Sequence, residues 1–214
     1  MTPTPPALRL KSSWFRPGEA RSPEEQAGAM GFIVFRVAHQ MLKRMRGARF
    51  DIDIGMPYFA FLAEVLQFGC VIADRLAHAR LGASERAAFT VALVHHVARH
   101  LAENQTEYLG PPAGDRPSYE ARFVDQFNEL ATHYAEFGAD PSAPPEAGFL
   151  PDFAMLRYFA SRLEPVLPEK DRHWVRDQVI AIEAPEIVEL LQRAMRQLHD
   201  PTPRRARRAS LNGE

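Results

Sequence analysis

A chain of 214 residues with 46% apolar content can bury one sizeable core without cross-links. Its formal charge of -1, from 26 basic and 27 acidic residues, excludes a global attraction to polyanions or anionic membranes, so a charge-driven role has to be local. The lone Cys70 excludes an internal disulfide framework and fits the reducing cytoplasm, and three lysines against 23 arginines read as genome composition rather than as a binding site.

Residues 1 to 21 read as an extended arm, because Pro3, Pro5, Pro6 and Pro17 lack backbone donors and bias their neighbours away from helix. The arm has no continuous apolar run of the kind that secretion signals carry. Trp14 and Phe15 interrupt it, and two large aromatics in a polar arm are expected to dock on the domain or on a second copy.

A first helix is predicted from Ser22 to Arg46, opened by a serine cap, Pro23 and the first-turn acids Glu24 and Glu25. Met30, Val34, Val37, Met41 and Met45 mark its buried face, opposite Arg36, Gln40 and Lys43. In the connection that follows, Ile52 and Ile54 alternate with Asp51 and Asp53 over too short a run for a strand. The second helix, Tyr58 to Arg80, is apolar on nearly every side. Its polar residues Glu64, Gln67, Asp74, Arg75 and His78 project as one narrow stripe, reaching either solvent or an internal polar network. Its interruptions argue against a membrane span, and Gly82 is expected to close it.

The third helix, Ser84 to Leu109, is the centre of the predicted fold. A fourth, Ser118 to Phe137, buries Phe123, Phe127, Leu130, Tyr134 and Phe137. The proline- and glycine-rich loop 138–148 is expected to be flexible. A fifth helix runs from Pro151 to Leu163 and a sixth from Glu169 to Glu183. A seventh ends near His199, with Pro185 as either its first residue or a kink. Residues 201 to 214 have no apolar periodicity and read as a disordered basic tail. The sum is an all-α fold: residues 22–200 form a single compact orthogonal or antiparallel bundle of about six or seven helices.

The chemistry-bearing pattern lies on the third helix. At 100° per residue His96, His100, Glu103 and Glu107 fall in one sector. With Glu129 and His133 from the fourth helix they offer nitrogen and carboxylate ligands for a divalent metal such as non-haem iron, manganese or zinc. That would make the chain a metal-binding bundle, an oxidoreductase or a hydrolase. Against it, the order His100-Leu-Ala-Glu103 and His133-Tyr-Ala-Glu136 reverses the paired Glu-x-x-His of di-iron bundles. A solvated, ion-paired helix end is the preferred reading. In the tail, Arg204, Arg205, Arg207 and Arg208 are the one concentrated basic run, and the only route to nucleic acid. The leading functional reading is therefore a cytoplasmic, non-catalytic interaction or regulatory module that forms a homodimer; the small-molecule ligand is left open, with an apolar-ligand binder using the Phe- and Met-rich faces of the first two helices as a third reading.

Overall fold

The computed structural model describes residues 21–144 and 147–199. The helices are α1 (Pro23–Gly47), α2 (Met56–His78), α3 (Ala83–Leu109), α4 (Tyr119–Tyr134), α5 (Phe153–Leu163), α6 (Glu169–Gln178) and α7 (Ala184–His199). A 3-10 turn at Glu164–Val166 follows α5, and a π-turn at Val179–Glu183 joins α6 to α7 without a break. No strand occurs among the described residues beyond an isolated bridge between Ala139 and Pro151.

The helix starts follow their caps. Ser22 Oγ accepts from the Glu25 amide at 3.2 Å while the Ser22 amide donates to Glu25 Oε2 at 3.3 Å, a reciprocal box that satisfies two orphan groups. Ser118 Oγ and Asp152 Oδ1 cap α4 and α5 in the same way, accepting from Ala121 and Met155. Gly82, expected to close the second helix, instead opens the third: its extended φ of -63° and ψ of 162° make it the N-cap, and its amide donates to Glu85 Oε2 at 3.1 Å. The end of α1 is a Schellman turn, in which the Phe50 amide bonds the Met45 carbonyl at 3.0 Å with Arg49 at φ 70°. That left-handed position normally takes glycine.

The core gathers on α2, where Phe61, Leu62, Leu66, Phe68, Cys70 and Ile72 are fully buried. Phe68 stacks on Phe159 of α5 with ring centroids 4.0 Å apart. By length and composition α2 could cross a membrane, at a mean hydropathy of 1.6, but 67% of its most apolar window is buried inside the bundle. α1 lies antiparallel to α2 so closely that a Cβ on Gly69 would stand 2.8 Å from Val34 Cγ1. Burial pushes the Cys70 thiol far up from its ordinary value, which leaves it a small apolar side chain.

Three polar residues of the α2 stripe each reach a different neighbouring helix, while His78 stays exposed. Glu64 receives a two-pronged contact from Arg162 of α5, at 3.0 and 2.7 Å. Asp74 accepts from Arg86 Nε at 2.9 Å and from Thr90 Oγ1 at 2.6 Å on α3. Arg75 donates to the Tyr134 and Phe137 carbonyls at the end of α4, at 3.0 and 3.2 Å. Bidentate guanidinium contacts fix direction as well as distance. Several of the arginines therefore act as struts between helices.

A fourth strut reaches the π-turn. Glu183 is 0% exposed, and Arg44 of α1 places both Nε and Nη2 at 2.8 Å from its Oε2 while Gln178 Nε2 donates to Oε1 at 3.0 Å. The Pro185 alternatives resolve into one rod: the Ala184 amide bonds the Val179 carbonyl five residues back, so the proline sits in a continuing helix just past a widened turn. The loop 138–148 is tied in where it is described. The Asp140 amide bonds the Leu150 carbonyl at 2.8 Å, and Gln192 Nε2 reaches the carbonyls of Ala147 and Phe149, each at 3.0 Å. The arm with Trp14 and Phe15 and the tail with Arg204, Arg205, Arg207 and Arg208 lie outside the described residues.

Candidate functional site

The stripe on α3 turns toward α1. A Cβ on Gly28 would meet His96 Nε2 at 3.3 Å, and one on Gly31 would meet His96 Cβ at the same distance, so His96 sits in a notch that only two glycines leave open. One turn on, His100 stands edge-on to Phe35 with centroids 5.9 Å apart, and its Nδ1 lies 3.4 Å from Glu103 Oε2. Phe35 also packs on His39, which approaches Tyr58 in turn, and Arg46 lies 5.6 Å above the Tyr58 ring. Burial among these rings holds the His39 imidazole below its ordinary value.

The remaining candidates point elsewhere. Glu107 and Glu129 are exposed, and His133 lies against Tyr158 of α5, centroids 6.0 Å apart. His95, the neighbour of His96, reaches α4 instead, with Nδ1 3.5 Å from Glu120 Oε1. Two histidines packed against α1, a third against α5 and a fourth turned toward α4 do not make a coordination sphere. No three His, Cys, Asp or Glu side chains are grouped to hold a metal ion among the described residues.

The acidic groups of α2 are equally committed. Burial raises the Glu64 carboxyl, against the opposing pull of Arg162, and drives the Tyr134 phenol well above its usual range. Glu64 belongs to the strut between α2 and α5; beside it Tyr134, Phe137 and Tyr158 pack on one another with centroids 5.1 to 6.3 Å apart.

A different surface stands open. Phe153 at the start of α5 is 66% exposed, Trp174 on α6 is 68% exposed and Ile182 in the π-turn is 49% exposed. Two shallow clefts flank α6. One, of about 520 Å³, lies against α5 and is lined by Phe153, Arg157, Arg176, Asp177, Ile180 and Ala181. The other, of about 430 Å³, lies against the α1–α2 connection, between Arg49 and Phe50 on one wall and Asp171, Trp174 and Gln178 on the other. Asp177 borders both, so it marks the crest of a ridge. The exposed aromatics on this surface are flanked by charges of both signs.

Sequence reasoning passed over Phe153, Trp174 and Ile182. A signal existed for one of them: Val175 and Val179 mark the buried side, and Trp174 projects 100° away from Val175 among Lys170, Asp171, Asp177 and Gln178. No protein-family model, curated protein or solved structure matches the chain.

Proposed function

We propose that the protein is a non-catalytic interaction module that acts as a homodimer through the face of α5 and α6. The observation that carries this reading is the joint exposure of Phe153 and Trp174 across α6 from each other. Each such aromatic buries on the order of 150–250 Å² when covered, and Trp is among the residues that dominate interface energetics. The distribution of the polar groups supports the same view, since Glu64, Asp74 and Glu183 are each held by an arginine from another helix. A lone, fully buried thiol suits a reducing compartment, and the module is assigned to the cytoplasm on that basis.

Trp14 and Phe15 of the arm are the competing cover for this face. Sedimentation velocity on the full chain and on a chain lacking residues 1–20 tests the assignment. Both forms are expected to dimerise with increasing concentration, and Trp174→Glu is expected to shift the full chain toward monomer. A full chain that stays monomeric at hundreds of micromolar, above all one that dimerises only after loss of residues 1–20, overturns it.

A further inference from the structure

The α6 ridge and the α5–α6 cleft are neighbours on one surface, and that adjacency is what a two-fold contact between identical chains requires. In an isologous interface the same patch serves both partners, so it must carry a projection beside a recess that accepts it. Here the projection is the crest of α6 at Asp177, and the recess of about 520 Å³ beside it is walled by Phe153 and Arg157.

Charge gives the same pairing. Asp177, Arg157 and Arg49 are without an ion-pair partner among the described residues. The other cationic group of that cleft, Arg176, is engaged by Glu164 at 2.5 Å. One acidic group on the crest and one uncommitted guanidinium on the wall of the recess are complementary between two copies. Helix packing by ridges into grooves is the usual way two such surfaces meet.

Resting on the homodimer reading above, we infer that the occupant of the α5–α6 cleft is the α6 crest of a second copy, with Asp177 of each chain facing Arg157 of the other and the Phe153 side chains enclosed between them. Two reciprocal charge pairs then set the register, and the aromatic contact supplies the area.

Charge reversal and exchange on the full chain, followed by sedimentation velocity, test this. Asp177→Arg and Arg157→Asp each bring like charges together and are expected to weaken the dimer about tenfold or more, whereas the double variant restores it to within about threefold. Both positions are exposed, and far-UV circular dichroism is expected to remain that of the parent. A dimer that neither the single reversals nor Phe153→Ser weakens overturns the inference; if Trp174→Glu still weakens it, the homodimer reading stands on the other cleft beside α6. Losses in both singles with no recovery in the double overturn the pairing. A chain monomeric in every form overturns the homodimer reading itself.

Discussion

Removing Arg44 is expected to cost far more than neutralising the residue it holds. Glu183 is fully buried, while Arg44 keeps 29% of its side chain in solvent, so the two partners of the pair at 2.8 Å are not equivalent. Arg44→Met strands a carboxylate inside the bundle with only Gln178 donating to it, a loss of about 3–5 kcal/mol. Glu183→Gln retains volume and one acceptor oxygen, and the guanidinium keeps its existing contact with the exposed Glu186 at 3.4 Å, so its cost is about 1–2 kcal/mol. The double variant buries no charge at all and is expected to be more stable than Arg44→Met alone. Urea unfolding followed at 222 nm measures the cycle, and in thermal melts the Arg44→Met loss corresponds to a fall of roughly 6–20 °C at about 2–4 °C per kcal/mol. Equal costs for the two single variants, or a double variant that sums them, would refute the reasoning, because either result means Glu183 has another route to water.

Gly69→Ala exchanges a helix-propensity gain of about 1 kcal/mol for a contact at 2.8 Å with Val34 Cγ1, whose χ1 is stiff in a helix; overpacking of about 1–3 kcal/mol wins, and a net loss near 1 kcal/mol in urea melts is expected. Val34→Ala in the same chain should erase that loss, and a stabilised Gly69→Ala would deny the close α1–α2 approach. His39 has its folded pKa below the ordinary 6.5, so the unfolded chain binds the extra proton first and stability falls as pH drops through the window under 6.5; His39→Gln should flatten that slope, and an unchanged pH profile of melting would count against it. Protein purified without chelators is expected to contain no stoichiometric transition metal by elemental analysis. One equivalent that disappears in His96→Ala/His100→Ala would overturn the placement of these histidines against α1.

Much of the fold was legible because local and global signals agree. The Ser22–Glu25 box, Pro23 and the Met30 to Met45 stripe specify the start and inner face of α1 without reference to any other helix. The α2 stripe was legible as polar residues needing company, although sequence did not say that Arg162, Arg86 and the end of α4 would provide or receive it. Gly82 was read with the helix before it because glycine suits both ends, and only the extended ψ settles which end it serves. The His96–His100 stripe shows the limit of projection. Helical spacing gives the side on which a residue stands but not what faces it, and here Gly28 and Gly31 turn a would-be ligand into a packed ring. The exposed face at Trp174 was missed because one tryptophan among charges reads as noise until α5 brings Phe153 to the other flank of the same helix.

The π-turn ahead of Pro185 acts as a phase shifter along the rod. Counting a regular helix onward from Val175 and Val179 would bring Ile182, Glu186 and Glu189 to the buried side; with one surplus residue accommodated, Glu183, Ile187, Val188, Leu191, Ala194 and Met195 take those places. Ile182 is thereby turned outward, and the same step turns a carboxylate inward to meet Arg44. The rod carries two registers of one helix, one upstream presenting Trp174 and Asp177 to solvent and one downstream sealing the core. Deleting a single residue between Val179 and Ile182 would therefore merge the two registers, and the face that α6 offers could no longer be varied independently of the packing of α7.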